Sequence, residues 1–440
     1  MSDTRRGFLR KASMAAIAYT FVDSGPYLRA AGPNDQIGLG FIGMGIRGTG
    51  LLGMFKALPG VRPVITADLY DGHLDHAKEM TDGTIETTKD YHTVLGRKDV
   101  DAVVIATPDH WHMRMVLDAL DAGKDVYIEK PMTWSIPQGK KIMAAVKRTQ
   151  RILQVGSDAK TSAATAQAKE MVKSGMLGKV HMIKMANHRN TPEGAWQYPI
   201  PEDASEKTID WARFQGPAPK RLFDAKVFFR WRGWWEYSGG VATDLFVHLL
   251  TTLHEIMEVQ APTAVVSHGA IYKWNDGRTV PDVLNSIFQY PSFIVDMYVN
   301  LANSRSVHPP VLCGTEGTLV LGGNQGLVVY PEPYVPPIQV YGAGALSKAM
   351  REKYYESVGY TADGEPKEPL PEPVKEKSIS VPRGPSHQEL FIMSVRDRTP
   401  SKENAEEGHY AAAAGHLANI AYRSGKRVTW DAVTGTVHLT

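Results

Sequence analysis

A glycine-rich loop constrains the fold of this chain more than any other feature of its sequence. It follows a short apolar run at residues 37–42 and stands at the start of a helix-like segment at residues 47–57. In such a G-x-G-x-x-G loop the first glycine permits a tight turn, the second lets a pyrophosphate approach the backbone, and the third lets helix and strand pack closely. The alternative is a glycine turn with a purely structural role. We expect a dinucleotide-binding unit whose contacts come from Gly43, Met44, Gly45, Ile46, Arg47 and Gly48.

Short apolar runs alternate with helix-length segments from Gln36 to Gly156, a pattern typical of a parallel sheet covered by helices. The runs expected to be strands span residues 37–42, 62–67, 100–106, 126–128 and 152–155. The expected helices span residues 47–57, 73–80, 111–122 and 136–149. We assign residues 34–157 to a doubly wound domain of the Rossmann type, so the fold class is α/β.

The pattern changes after this array. Several of the next apolar runs are separated by gaps of hairpin length, which favours an open, largely antiparallel sheet. These runs span residues 180–186, 263–267, 284–290, 293–300 and 318–321, and helical spacing returns at residues 387–397 and 405–424. Residues 331–385 are rich in proline, and we expect a long loop or meander there. Residues 158–440 are assigned to an α+β domain for substrate binding and oligomerisation.

The second expected strand ends in Asp68, 20 residues after Gly48. A carboxylate at this place accepts hydrogen bonds from both hydroxyls of the adenosine ribose and repels a 2′-phosphate. The sequence therefore favours NAD over NADP as the cofactor. Arg47 is the one nearby residue that could soften this preference.

Composition excludes several classes of protein. The 440 residues carry 49 Lys and Arg against 47 Asp and Glu, so a formal charge of +2 gives no reason to expect nucleic acid or a membrane surface as a partner. The single cysteine, Cys313, excludes internal disulfide bonds and a multi-cysteine metal site. The His, Asp and Glu residues lack metal-ligand spacing, so we expect no metal.

The first 31 residues have the pattern of an export signal. Paired arginines, Arg5 and Arg6, precede an apolar stretch at residues 12–22 that is too short to span a bilayer. This arrangement matches the twin-arginine signal, which serves proteins exported already folded. We expect a periplasmic protein whose mature chain begins near residue 32. The alternative is a basic tail on a soluble protein.

Two further segments carry a family resemblance. One is Ala106-Thr107-Pro108-Asp109-His110-Trp111-His112, at the end of the strand expected at residues 100–106, and the other is Glu129-Lys130-Pro131, after the strand expected at residues 126–128. Together with the glycine loop they resemble the Gfo/Idh/MocA family of glucose-fructose oxidoreductase and inositol dehydrogenase. The resemblance extends to Gly239-Gly240-Val241-Ala242-Thr243-Asp244-Leu245-Phe246-Val247-His248 and to residues 417–422 and 429–431. It therefore covers essentially the whole chain after the signal.

The resemblance implies an active site between the two domains and an open sheet that mediates a homodimer or homotetramer. Lys130 matches the family's catalytic lysine, and Asp244 and His248 match its acid/base pair. Many members carry an aspartate three residues after that histidine, whereas this chain has Thr251. The setting of His248 therefore differs from theirs.

These residue types suit the oxidation of a sugar hydroxyl, in which a hydride leaves carbon and a proton leaves oxygen. His248 can take and return that proton near neutral pH. Lys130 can stabilise the developing alkoxide, and Asp244 can orient the imidazole or bind a substrate hydroxyl. The reverse division between lysine and histidine remains open, as does a structural helix-surface role for Asp244 and His248.

The remaining candidates follow strand ends that face the expected cleft. Further dinucleotide contacts are expected from Thr107, Pro108, His112, Glu129 and Lys130, whereas His110 and Trp111 could simply pack. Substrate contacts are expected from Lys130, Asp158, His188, Arg189, Trp234, Asp244 and His248, with Lys160 as a weaker candidate. Residues 196–235 hold five of the nine tryptophans, which form either a platform for sugar rings or an aromatic core or interface.

Three functions are compatible with these residues. The first is an exported NAD-dependent oxidoreductase that acts on a sugar, a sugar derivative or a cyclitol and holds its cofactor tightly, because no soluble NAD pool surrounds an exported enzyme. The second is a redox-neutral glycoside hydrolase, in which transient oxidation permits elimination and hydration before the hydride returns. The third is a non-catalytic protein that holds a dinucleotide. The sequence does not separate the first two.

Overall fold

The structure is a computed structural model that describes residues 36–305, 309–322, 326–372, 375–381 and 384–440. The expected export signal at residues 1–31 lies outside the described residues. Within these ranges, no helix has the length and apolar character needed to cross a membrane.

The N-terminal part forms the expected Rossmann sheet. Its six strands are parallel and lie in the order β3-β2-β1-β4-β5-β6, which is the doubly wound topology. Every residue of β1, β4 and β5 is buried, as expected for parallel strands covered on both faces. The strands are β1 (Ile37–Ile42), β2 (Val61–Ala67), β3 (Glu86–Thr88), β4 (Ala102–Ile105), β5 (Asp125–Glu129) and β6 (Leu153–Gly156).

Helices cover both faces of this sheet. They are α1 (Ile46–Lys56), α2 (Asp71–Met80), α3 (Tyr91–Leu95), α4 (Asp109–Asp121) and α5 (Ile136–Thr149). A further covering helix comes from much later in the chain: α12 (His387–Asp397) packs Phe391 against Phe55 and Tyr127. By packing, this helix is part of the first core, although the sequence assigns it to the second domain.

The C-terminal part is built on a mixed, mostly antiparallel sheet of ten strands in the order β14-β13-β12-β11-β7-β10-β9-β8-β15-β16. In the described strands β7 pairs with β10 in parallel, and the other recorded pairings are antiparallel. This confirms the expected sheet class. The strands are β7 (Val180–His188), β8 (Ala264–Ala270), β9 (Val283–Gln289), β10 (Ile294–Asn300), β11 (Val311–Gly314), β12 (Gly317–Leu321), β13 (Leu327–Pro331), β14 (Lys377–Ile379), β15 (Val428–Asp431) and β16 (Thr436–Leu439).

The long helix α13 (Ala405–Ser424) joins the two parts of the molecule. It contacts α5 of the first domain and also α9 (Val247–Met257) of the second. At Gly415 a Cβ would lie 2.9 Å from the carbonyl oxygen of Ala242, so the small side chain lets α13 press closely on the segment before α9. The other helices of this part are α6 (Ala163–Lys173), α7 (Trp211–Gln215) and α8 (Ala225–Phe229).

The proline-rich stretch departs from the expected loop. It contains α10 (Val340–Ala343), α11 (Lys348–Ser357) and the short strand β14. Residues 348–357 are largely Lys, Ala, Met, Arg and Glu, which are good helix formers, and the prolines lie outside them. The high proline content of residues 331–385 as a whole hid a shorter, proline-free sequence with strong helix propensity.

Candidate active site

The glycine loop has the geometry that a pyrophosphate needs. Gly43 has φ +90°, and a Cβ there would lie 2.8 Å from the carbonyl oxygen of Ala106. A Cβ at Gly48 would overlap the carbonyl oxygen of Gly43, whereas one at Gly45 would meet only open space. Helix α1 begins directly after Gly45, so its free N–H groups face that open space. This open cradle fits the phosphates of a dinucleotide.

Asp68 stands at the end of β2, beside the loop. Its Oδ2 accepts the Met44 N–H at 2.6 Å, and its Oδ1 accepts the Tyr70 N–H at 2.9 Å and lies 3.1 Å from His73 Nδ1. Although burial acts to raise it, the pKa of Asp68 is lowered because His73 and the two backbone donors stabilise the carboxylate. Burial acts to lower the pKa of His73, but the pairing with Asp68 outweighs this effect and raises that pKa. Asp68 is thus an ionised acceptor beside the cradle.

A cavity of about 430 Å³ opens between the glycine loop, Asp68 and the C-terminal part of the chain. Thr107 and Pro108 line it at the end of β4, and both were expected at the dinucleotide site. One group of lining residues comes from the Rossmann domain and the other from the second domain. The second group comprises Arg213, Phe214, Phe228 and Trp231.

The segment at residues 203–231 forms a cover over this cavity. The Tyr70 hydroxyl donates to Asp203 at 2.6 Å, and Tyr70 pairs with Ile209 in an isolated antiparallel bridge. Backbone bonds fix the same seam, because Asp210 N donates to Leu69 O at 2.9 Å. The cover residues pack with Tyr70 in one buried aromatic cluster, which holds Ile209, Trp211, Phe214, Val227, Phe228, Trp234 and Tyr237.

Arg47 does not face the ribose side of the site. Its Nε donates to Glu129 Oε1 at 2.6 Å, and its Nη2 lies 3.0 Å from Asp158 Oδ2. Glu129 is the last residue of β5, and Asp158 lies two residues after β6. Asp68 follows β2, which lies on the opposite side of β1 in the sheet. Burial raises the pKa of Glu129 even though Arg47 and Lys130 act in the other direction. Arg47 is therefore placed away from a 2′-phosphate, and Glu129 is a buried partner of Arg47.

Lys130, Asp244 and Arg232 form a compact charged cluster at the end of β5. Lys130 Nζ donates to Asp244 Oδ1 and to the Asp244 carbonyl oxygen, both at 2.8 Å. Arg232 Nε donates to the same carboxylate oxygen at 3.0 Å. Burial acts to raise the pKa of Asp244, but the two cations outweigh it and hold the pKa well below its usual range. Asp244 is therefore ionised and pairs with two cations.

Asp244 lies in a π-helical segment, Ala242–Phe246, that leads into α9. Such segments are rare and concentrate at functional sites. The segment turns both the carboxylate and the carbonyl of Asp244 towards Lys130. Asp244 thus pairs with the lysine, whereas from the sequence we expected it to orient the imidazole or to bind a substrate hydroxyl.

His248 follows at the start of α9 and is partly buried. Burial and the charge of Lys130 lower its pKa to about 3, with Asp244 and Asp158 acting in the opposite direction. The imidazole is thus neutral at physiological pH and has a lone pair available for a proton, but it is a weaker base than the ordinary imidazole expected from the sequence. Thr251 cannot replace the aspartate of many relatives, because its hydroxyl donates to the carbonyls of Val247 and His248 at 3.0 and 3.1 Å.

His112 has a role other than the expected one. Its Nδ1 lies 2.7 Å from the Pro131 carbonyl oxygen and its Nε2 lies 2.8 Å from that of Thr107. Burial lowers its pKa to about 4, and the ring is 1% exposed. His112 thus joins the loops after β4 and β5 to each other instead of presenting a nitrogen to a cofactor. His110 likewise packs, with Nε2 2.9 Å from the Phe214 carbonyl oxygen.

The expected substrate contacts are divided. Trp234 is 5% exposed inside the aromatic cluster, so it is a core residue and not a platform for sugar rings. Asp158 faces the cleft but is held by Arg47 and by Gln388 Nε2 at 3.1 Å. His188 Nε2 lies 3.3 Å from the Tyr298 hydroxyl. Lys160 is buried and pairs with Glu407 and Glu255 at 2.6 and 3.3 Å.

Arg189 lies within electrostatic range of Tyr198. Burial raises the pKa of Tyr198, and the charges of Arg232, Asp244 and Arg189 also act on its phenol. Arg189 follows β7 and is partly exposed.

Two site residues escaped sequence reasoning. Arg232 was concealed in the aromatic run Phe228–Trp235, and its guanidinium stacks on Trp231 at 4.3 Å while it binds Asp244. Asp109 belongs to the segment that carries the family resemblance but was given no role there, yet it is 2% exposed and the charge of Asp244 acts on its carboxyl. The signal available in the sequence was the position of Asp109, directly after the Thr107-Pro108 turn that follows a strand end.

An open glycine cradle beside an ionised carboxylate, with a lysine directly after a parallel strand and a histidine at the start of α9, is typical of a Rossmann-type oxidoreductase. Comparison with family models supports this class. Residues 37–157 match the oxidoreductase family's NAD-binding Rossmann fold, and residues 169–430 match its C-terminal alpha/beta domain. The chain belongs to the Gfo/Idh/MocA oxidoreductase family, and it has that family's NAD-binding domain.

Individual relatives are more distant. A scyllo-inositol 2-dehydrogenase (NAD(+)) of Bacillus subtilis is 33% identical over 141 residues, which is 30% of this chain and 41% of that protein. A glycosyl hydrolase family 109 protein of Shewanella pealeana is 26% identical over 204 residues, 41% of this chain and 45% of that protein. The chain thus matches less than half the length of either curated relative.

Solved structures share the whole fold. The WlbA dehydrogenase from Bordetella pertussis, crystallised with NADH and UDP-GlcNAcA, aligns with a TM-score of 0.62 at 16% identity, covering 90% of this chain and 99% of that one. At this identity the likeness shows the common fold alone.

Proposed function

We propose that this protein oxidises a secondary hydroxyl of a sugar, a sugar derivative or a cyclitol with a tightly held NAD. The observation that carries the proposal is the Lys130–Asp244–Arg232 cluster beside His248, at the strand ends where the dinucleotide cradle opens. The same edge of the sheet holds the acidic ribose acceptor Asp68. A cofactor and a substrate can therefore meet there.

The bound dinucleotide supplies a hydride acceptor. Lys130 has three N–H groups, two of which are committed to Asp244, so the third is free to donate to the reacting oxygen. The neutral imidazole of His248 accepts the hydroxyl proton as the carbon–hydrogen bond breaks, and it returns that proton in the reverse direction. Asp244 and Arg232 hold the lysine in place.

Cofactor retention follows from the cover at residues 203–231. The cavity beside Asp68 has walls from both domains, and we expect the seam between Tyr70 and residues 203–210 to open before an adenosine leaves. Because such a cofactor is restored within the enzyme, turnover ends either with a second substrate as hydride acceptor or with return of the hydride to the first.

A redox-neutral glycoside hydrolase is the second candidate, and the matching stretch of the family 109 glycosyl hydrolase relative favours it. Oxidation of a ring hydroxyl acidifies the neighbouring C–H, the glycosidic group leaves by elimination, water adds, and the hydride returns. Lys130 and His248 would serve both oxidation and re-reduction in that sequence.

One screen separates these functions. The protein is purified without added NAD and tested against free sugars, cyclitols and aryl glycosides. Reduced cofactor that accumulates with a free sugar or inositol supports the dehydrogenase, whereas aglycone release without net reduction supports the hydrolase. A protein that neither retains nor binds a dinucleotide overturns both.

Export and assembly belong to the same proposal. Arg5 and Arg6 begin a twin-arginine signal, so the pair Arg5→Lys and Arg6→Lys should keep the protein in the cytoplasm, and unchanged export would refute the route.

We also propose a homodimer or homotetramer through the open sheet, where Ile287 and Ile294 are 45% and 43% exposed. Light scattering of the purified protein would measure the assembly.

A further inference from the structure

Asp109 links the Rossmann domain to the segment that carries the acid/base pair. It is the first residue of α4, and its Oδ2 accepts the Gly239 N–H at 3.1 Å. The Gly239 carbonyl in turn accepts Asn419 Nδ2 of α13 at 2.7 Å. Gly239 is therefore held at both its N–H and its carbonyl, immediately before Gly240, which has φ +60°. From Gly240 the chain continues directly into the π-helical segment.

Charged groups from three other elements face Asp109. Lys130 comes from the end of β5, Arg232 from the 3₁₀ turn Trp231–Gly233, and Asp244 from the π-helical segment. Burial and the charge of Asp244 raise the pKa of Asp109 to about 7, while Gly239, Arg232 and Lys130 act in the opposite direction. The neighbouring histidines of α4, His110 and His112, are neutral there, because burial lowers their pKa to about 4.

We propose that Asp109 is a positioning residue of the active site: through its bond to Gly239 it holds the 239–248 segment, and its gain or loss of a proton switches the charge and rigidity of the Lys130–Asp244–Arg232 cluster. The inference rests on the proposed function, since the residues positioned are those assigned to the reaction. Nothing in the family comparisons assigns a role to this carboxyl.

The two protonation states differ in a definite way. When Asp109 is ionised, two carboxylates balance Lys130 and Arg232, and the Gly239 N–H makes a charge-assisted hydrogen bond that is about twice as strong as a neutral one. When Asp109 is protonated, the cluster has one excess positive charge and the bond to Gly239 weakens. The ionised state holds the 239–248 segment more firmly, so turnover should rise as pH passes neutrality.

Infrared spectroscopy of the holoenzyme can follow this proton without turnover. The carboxylic C=O band of ¹³C-aspartate-labelled protein is recorded from about pH 5 to pH 9. We expect one band that disappears near pH 7 in the wild type and is absent from Asp109→Asn. The control is Asp101→Asn, since Asp101 also accepts a glycine N–H, that of Gly38 at 2.7 Å, but at the opposite end of β4. Its spectrum should keep the band.

The rate measurement tests positioning separately. In the wild type and in Asp101→Asn, kcat should rise several-fold between about pH 6 and pH 8, whereas Asp109→Asn should change less than about twofold. An unaltered rise in Asp109→Asn overturns the proposal. So does a wild-type spectrum with no aspartic acid band titrating near neutrality, which decides the matter even if the variant does not fold. Normal titration without any hydride transfer would instead refute the proposed function.

Discussion

Lys130 Nζ lies 2.8 Å from both the carboxylate and the backbone carbonyl oxygen of Asp244. This double contact ties the end of a Rossmann strand to a π-helical segment of the second domain. It leaves the lysine one N–H for another acceptor and prevents free rotation of the ammonium group. The cleft therefore contains a preorganised donor where a substrate oxygen would develop negative charge.

Replacement of this lysine should remove catalysis without removing the cofactor site. In Lys130→Met we expect kcat to fall at least about 100-fold, because a preorganised donor to the reacting oxygen is lost. Dinucleotide affinity should change little, since the cradle is formed by the glycine loop and Asp68. Steady-state rates and isothermal titration measure the two effects. In the matched control, Lys140→Met, the lost Nζ donates to the carbonyls of Val433 and Thr434 on the protein surface, and the rate should stay at the wild-type level. Substantial turnover in Lys130→Met would place the site elsewhere.

Arg47 should contribute more to stability than its place in a phosphate loop indicates. Arg47→Gln leaves Glu129 buried without its cationic partner, and loss of one member of a buried pair costs about 3 kcal/mol of the free energy of unfolding. Urea denaturation at pH 7 measures it. Arg97→Gln is the control, because Arg97 pairs with Glu86 and Asp99 at an exposed site and should change stability far less. Equal effects for the two variants would contradict the buried role of Arg47.

The His73–Asp68 pair should make stability depend on pH in one direction. The pKa of His73 is raised in the folded protein, so its contribution is fully present below the unfolded value of about 6.5 and is lost as pH rises through the folded value. We therefore expect His73→Gln to destabilise the apoprotein most below about pH 6.5 and progressively less above it. Denaturation midpoints across this range give the answer. A difference between wild type and His73→Gln that grows with pH would refute the pairing.

The cover over the cavity should slow cofactor release. Tyr70→Phe removes the hydrogen bond to Asp203 but keeps the ring in the aromatic cluster. Loss of about 1 kcal/mol should accelerate NAD dissociation roughly fivefold if the seam opens before release. Stopped-flow displacement of the bound cofactor measures that rate. The control is Tyr354→Phe, which removes a hydroxyl that accepts the Gln339 N–H at an exposed site. This change should leave the rate of NAD dissociation unaltered. An unaltered rate in Tyr70→Phe would show that the cofactor leaves by another path.

The sequence was most informative where geometry follows from topology. Gly43, Asp68 and Lys130 come together because each directly follows a parallel strand and the carboxyl ends of these strands share one edge of the sheet, so locating each strand was enough to place the residue after it. The class of the second sheet followed similarly from hairpin-length gaps. These inferences required no knowledge of side-chain packing.

The sequence was least informative where packing decides. The π-helical turn that holds Asp244 packs closely against α13, where Gly415 approaches Ala242, a contact between residues far apart in the chain. Trp234 is buried in the core, whereas Arg232, two residues earlier, reaches the charged cluster at Asp244. The aromatic run alone does not tell which of its side chains turn inward. His112 has the residue type of a site histidine, but two backbone carbonyls occupy its nitrogens.

In the proposed reaction, Lys130 and His248 promote hydride transfer to a dinucleotide held in the Gly43–Asp68 cradle. The most direct measurement is the nicotinamide absorbance after rapid mixing of the purified, NAD-loaded protein with the sugars, cyclitols and glycosides that it turns over. We predict that reduced nicotinamide forms in the first turnover, transiently for a hydrolase and lastingly for a dehydrogenase, and that Lys130→Met and His248→Ala lose this signal while they retain NAD. Turnover without any change in nicotinamide absorbance would contradict the account.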